Sequence, residues 1–156
     1  MQVFLIRHAA AVDETLQLRD PHRHLTAHGR TQARALGDRL RWHDCTPTHV
    51  WSSPLVRAVQ TAELVLAGIG CDVPVEVVTD LAPDGSARDL VAAVRRLPAI
   101  AHVVLVGHEP ALSGIGALLV GARDFVALDK AQAARIDGST LRWRFAWDAD
   151  APLLVK

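Results

Sequence analysis

The chain has 156 residues, half of them hydrophobic, and 17 Lys plus Arg balance 17 Asp plus Glu to a formal net charge of zero. That length suffices for a buried core in one domain, and the composition is that of an ordinary globular protein without repeats or low-complexity tracts. Zero net charge removes any global attraction to nucleic acid or an acidic membrane, so no nucleic-acid or membrane partner is expected and an anion site must be local.

The elements follow one another with short spacers. Residues 3–6, VFLI, are a continuous apolar run, the pattern of a strand covered on both faces. After a polar stretch, Thr26 and Gly29-Arg30 open a helix whose Ala33, Leu36 and Leu40 share one side. Residues 48–51 read as a second strand. Pro54 then suits the first turn of a helix with Leu55, Val59, Ala62, Leu66 and Ile69 on its apolar stripe, closed by Gly68 and Gly70. Residues 75–78 make a third strand, followed by a Pro-Asp-Gly loop. Leu90, Val91, Val94 and Leu97 mark a short helix that Pro98 closes. Residues 103–106 are a fourth buried strand, and a helix from Pro110 is expected to bury Leu112, Ile115, Leu118 and Leu119. In the tail, Leu141, Trp143, Phe145 and Trp147 alternate with polar neighbours after an Asp137-Gly138 hairpin signal. The alternation of strands and helices predicts an α/β fold: a three-layer α/β/α sandwich on a mostly parallel sheet, with an antiparallel edge strand or hairpin.

Cys45 and Cys71 lack metal-like spacing and form no disulfide framework. No apolar run approaches the ~20 residues of a spanning helix, and the chain enters a strand pattern without signal-peptide regions, so the expected location is cytoplasmic.

Ligands of open α/β sheets bind beyond the carboxyl ends of the strands. Each expected strand here is followed by polar residues. Arg7 and His8 follow the first. Ser52, Ser53 and then Arg57 follow the second; Asp80 and Asp84 follow the third; Gly107, His108 and Glu109 follow the fourth. Two histidines, two arginines and a carboxylate are thereby delivered to one sheet edge. Arginine forks and a helix N-terminus suit a phosphoryl group. A neutral histidine among cations can act as nucleophile, and a second can donate to the phosphoryl oxygens. A carboxylic acid would protonate a poor leaving group. Phosphoryl transfer through a phosphohistidine needs all of these roles, and neither a metal nor a cofactor is expected.

The segments LIRHA, SSPLVRAVQTAE and VGHEP resemble, in order and spacing, the signatures of the histidine phosphatase superfamily, the phosphoglycerate mutase-like fold. The small size and the loop DPHRHLTAHGRTQA resemble its SixA-type phosphohistidine phosphatase branch. The resemblance covers nearly the whole chain and implies one histidine phosphatase domain over 1–156. It implies His8 as the nucleophile, Arg7, Arg57 and His108 as catalytic and phosphate-binding residues, and Arg23 as an additional phosphate ligand. Asp80 is the implied proton donor, with Asp20 competing. Ala9 departs from the family's usual glycine after Arg-His.

The resemblance to the SixA branch implies a phosphohistidine on a protein as the substrate, which suits the open pocket expected because residues 79–101 are too few to build a large lid. A small phosphate ester is the alternative, and a non-catalytic phosphate- or phosphohistidine-binding module is the alternative of another class. Inorganic phosphate or a similar anion should occupy the pocket in each case. Other polar residues read as structural. Ser52 and Ser53 suit turn and capping positions, Asp84 a turn, and Trp143 and Trp147 the core. Glu109 suits the helix start at the pocket rim. His22, His24 and His28 lie on a polar loop without a metal-ligand framework.

Overall fold

The computed structural model describes residues 1–155. Strands β1 (Gln2–Arg7), β2 (His49–Ser52), β3 (Val75–Val77) and β4 (His102–Gly107) are mutually parallel. Strands β5 (Gln132–Asp137), β6 (Thr140–Ala146) and β7 (Leu153–Leu154) continue the sheet antiparallel, in the order β3-β2-β4-β1-β5-β6-β7. Helices α1 (Ala27–Leu40), α2 (Val56–Ile69), α3 (Ala87–Arg95) and α4 (Ala111–Val120) connect them.

The continuous apolar runs divide by parity, as a sheet covered on both faces requires. Phe4, Ile6, Val104 and Val106 pack with α1 and α2, whereas Val3, Leu5, Val103 and Leu105 pack with α3 and α4. This is the three-layer α/β/α sandwich that the alternation of elements predicts.

Helices α1 and α2 cross at glycines. A Cβ on Gly37 would lie 2.2 Å from the Val65 carbonyl oxygen, and one on Gly68 would lie 2.5 Å from that of Arg34. Gly68 is therefore a contact inside α2, and Gly70, at φ 77°, is what ends it.

Other details differ from expectation. Pro54 is exposed and precedes the helix, which begins at Val56 with Leu55 in extended conformation as its N-cap. Val65, more deeply than Val59, continues the buried stripe of α2. Leu118 is exposed because the buried stripe of α4 runs through Leu112, Ile115 and Leu119. The antiparallel part of the sheet has three strands, since β5 pairs with β1 and forms the hairpin with β6. Cys45 and Cys71 are free thiols. Among the described residues no helix is long and apolar enough to cross a membrane.

Candidate active site

Strand register places the site. Arg7 is level with Gly107, and Ser52 is level with both Val106 and Val77, so β1, β2, β3 and β4 end together. One residue further, the His8 N–H donates to the Gly107 carbonyl at 3.0 Å and the Ser53 N–H to the Val106 carbonyl at 2.9 Å. After β1 the chain turns towards the α1 face, and after β4 towards the α4 face. The crevice between those neighbouring strands is where such sheets bind ligands.

His8 and His108 meet there, with ring centroids 5.1 Å apart. Both are buried. The His8 Nδ1–H donates to the Ala9 carbonyl at 2.7 Å, a bond to an acceptor without hydrogens that leaves a lone pair on Nε2. Burial lowers the His8 pKa to about 4. The Ala9 hydrogen bond opposes that shift, and the charges of Arg57, Arg7 and Lys130 add to it. His108 is lowered to about 3, by burial first and then by His8 and Arg57. Two neutral imidazoles therefore face each other at neutral pH.

Ala9 itself is held from both sides. Thr61 accepts the Ala9 N–H at 3.1 Å while its own hydroxyl donates to the Arg57 carbonyl at 2.7 Å. Ala9 occupies ordinary backbone conformation: among the described non-glycine residues only Asp44 and Ala131 have positive φ. A methyl at position 9 is thus accommodated without strain. Gly29 is constrained instead, because a Cβ there would lie 1.9 Å from the Ala10 carbonyl oxygen where α1 begins.

The arginines are anchored by parts of the chain distant in sequence. Arg7 donates from Nη1 to the Leu128 carbonyl at 2.9 Å. The Leu128 N–H in turn donates to Glu109 Oε1 at 2.8 Å, so Glu109 braces the segment that holds Arg7. Ala131, at φ 53°, donates its N–H to the carbonyls of Arg7 and His8 at 3.2 and 3.3 Å. Arg57 is buried in the first turn of α2, where the helix dipole disfavours a cation, and Asp20 compensates. Arg57 Nη1 donates to the Asp20 carbonyl at 2.9 Å and lies 3.3 Å from its carboxylate. Arg23 donates from Nη1 to the same carboxylate at 2.9 Å and from Nε to the Val12 carbonyl at 2.7 Å. Partial burial pushes the Asp20 carboxyl up, but the Arg23 hydrogen bond and the Arg57 charge more than offset this and leave it below its ordinary value.

Among the described residues, Arg7 Nε, Arg57 Nε and His108 Nδ1 are buried without a hydrogen-bond partner. Buried polar groups ordinarily have one. An oxyanion offers acceptors to all three.

Among the described residues Asp80 has no hydrogen bond or ion pair to this cluster, although the carbonyl of its neighbour Leu81 lies beside Gly107. Asp80 lies in the turn after β3, and its Oδ1 accepts the Ser86 N–H at 3.3 Å. Among the described residues no group of three or more His, Cys, Asp or Glu side chains could hold a metal. Ser53, expected only to shape a turn, also hydrogen-bonds His108 Nε2 through Oγ at 2.7 Å. Thr61 joins the site through its hydrogen bond to the Ala9 peptide, and the exposed Lys130 bears on His8 through its charge alone. The TA that follows Gln60 in the second segment was the available signal for Thr61; Lys130 has none.

The family model for the histidine phosphatase superfamily (branch 1) matches residues 3–82. An uncharacterised protein from Picosynechococcus sp. is 36% identical over 114 residues, covering 72% of this chain and 68% of the relative. The structure of the protein histidine phosphatase SixA complexed with tungstate is 27% identical with a TM-score of 0.86, covering 94% of this chain and 97% of that one. A mycobacterial glucosyl-3-phosphoglycerate phosphatase, 20% identical, shares the fold with a TM-score of 0.66 over 92% of this chain and 96% of its own. With a matched segment that carries Arg7, His8, Ser53 and Arg57, this chain belongs to the histidine phosphatase superfamily, branch 1.

Proposed function

We propose that this protein is a metal-independent phosphatase that acts through a phosphohistidine on His8, with a protein phosphohistidine as its substrate. The carrying observation is the His8 Nδ1–H bond to the Ala9 carbonyl, which leaves Nε2 as the free nucleophilic nitrogen. Arg7, Arg57 and His108 bind the phosphoryl oxygens, and the buried nitrogens without partners on all three support that role. Arg23, which shares the Asp20 carboxylate with Arg57, is the additional ligand of this reading from the loop side.

In the first step His8 Nε2 attacks phosphorus and the P–N bond to the substrate imidazole breaks. A substrate ring already protonated on its other nitrogen leaves as neutral imidazole, so this step needs no acid from the enzyme. The positive charge gained by the His8 ring rests against the Ala9 carbonyl. Water then attacks phosphorus, the P–Nε2 bond breaks, and inorganic phosphate departs as His8 returns to neutrality.

The choice of a macromolecular substrate is supported by what lies between β3 and β4. That stretch contains one 3-10 turn and α3, whose Leu90, Val91 and Val94 are committed to the core. A phosphate ester is the second reading: an alkoxide leaving group needs a proton, with Asp80 and Asp20 as the candidate carboxyls, and the arginines keep Asp20 ionised in the free site.

The test offers a phosphohistidine protein and a panel of phosphate esters to the wild type and to His8→Ala. Wild-type turnover, fastest on the phosphohistidine and lost in His8→Ala, is expected. Equal turnover by both proteins refutes the nucleophile. Binding without turnover by either makes the chain a phosphate-binding module.

A further inference from the structure

We propose that Ser53 is a positioning residue that fixes His108 in the Nδ1–H tautomer, so that a donor rather than a lone pair faces the phosphoryl group. The inference rests on the phosphatase reading for its function and on hydrogen-bond geometry for its chemistry. Ser53 is fully buried and His108 nearly so. The Ser53 hydroxyl oxygen accepts the Leu55 N–H at 3.2 Å and stands 2.7 Å from His108 Nε2. Among the described residues these are its only partners. The neighbouring Ser52 hydroxyl donates to the Ser53 carbonyl and does not compete.

A serine hydroxyl has one proton to give. If Ser53 gives it to Nε2, the hydroxyl accepts one bond and donates one, and the ring proton must sit on Nδ1. If the ring donated from Nε2 instead, the hydroxyl would accept twice and its own proton would be buried without an acceptor, which is costly. The His108 Nδ1 lone pair would then oppose the lone pairs of a phosphoryl oxygen. His108 Nδ1 is the buried ring nitrogen that has no partner in the protein, as a donor reserved for a ligand would be. Because burial and the neighbouring cations keep the ring neutral, its donor character at neutral pH depends on the tautomer and not on added charge. A single hydroxyl 55 residues away in sequence thereby decides what His108 offers to the transition state.

Long-range 1H–15N NMR of the 15N-histidine-labelled protein reads the tautomer directly. The expected wild-type spectrum shows His108 protonated on Nδ1. In Ser53→Ala that single tautomer is lost, and kcat on an aryl phosphate falls by about 10- to 100-fold with a smaller change in KM, short of the loss of a whole oxyanion donor. Ser53→Thr, which keeps the hydroxyl, restores both. A wild-type His108 protonated on Nε2 overturns the proposal, as does a folded Ser53→Ala with the Nδ1–H tautomer and full kcat. The wild-type spectrum decides the tautomer even if Ser53→Ala fails to fold. It also does so if the wild type hydrolyses nothing, an outcome that would remove the phosphatase reading alone.

Discussion

Asp20 sits on Arg57 from the side of the β1–α1 loop, its carboxylate 3.3 Å from Nη1 and shared with Arg23 at 2.9 Å. The carboxylate thus uses donors that a phosphoryl dianion would seek, and the two anions compete for the arginine pair. Asp20→Asn is expected to tighten tungstate inhibition by about fivefold at low salt. That corresponds to roughly 1 kcal/mol, the upper range for a partly exposed pair. The gain should shrink as salt screens the site. Weaker tungstate inhibition in this variant would mean that Asp20 organises the arginines for the anion instead. With a poor leaving group, comparing Asp20→Asn with Asp80→Asn also identifies the acid: the variant that slows selectively on that ester carries the proton.

Thr61 joins the peptide that follows His8 to the α2 arginine. Thr61→Val keeps the shape but leaves the buried Ala9 N–H without its acceptor. We expect a stability loss of about 1–3 kcal/mol in urea unfolding. A drop in kcat should accompany it, because the Ala9 carbonyl that orients His8 is released on one side. Thr61→Ser should retain most of both. A Thr61→Val enzyme with wild-type kcat would show that the Ala9 peptide is held adequately by other contacts.

The histidines predict a pH dependence with a definite sign. Both pKa values lie below the ordinary 6.5, at about 4 for His8 and about 3 for His108. As pH falls, the unfolded chain takes up these protons first. The stability they contribute is complete above about pH 6.5 and is lost progressively down to their folded values. The urea midpoint should fall between pH 7 and 4, and fall less in a folded His108→Asn. For activity, the acid limb of kcat/KM that belongs to the enzyme should lie well below 6.5 once the substrate's own ionisation is corrected. An enzyme inflection near 6.5 would contradict the burial of His8.

The glycine crossing of α1 and α2 gives a stability prediction against helix propensity. Alanine in place of Gly37 gains up to about 1 kcal/mol as a helix former. Its Cβ, however, would meet the Val65 backbone at 2.2 Å, where no flexible side chain can yield. The expected net result in denaturant titration is a loss of about 1–3 kcal/mol from overpacking. A stabilised Gly37→Ala would require the two helices to separate readily.

Much of this protein can be read from its chain. The strands β1 and β4 are apolar to their last turn and then stop at Arg7-His8 and Gly107-His108, because a doubly covered strand carries no polar residue until its end. Arg57 was legible for a related reason, a cation in the first turn of a helix that calls for a nearby anion. Strand β5 was not legible: QAARID has little β propensity, and it forms a strand because β1 offers it an edge. The partnerships of Ser53 with His108, Thr61 with Ala9, and Asp20 with Arg57 were equally hidden. The sequence by itself determined which groups reach the sheet edge, through periodicity and the cost of burying charge. Only the tertiary structure decided which of those groups bond to one another, because hydrogen-bond partners depend on the order and register in which β2, β4 and β1 lie side by side.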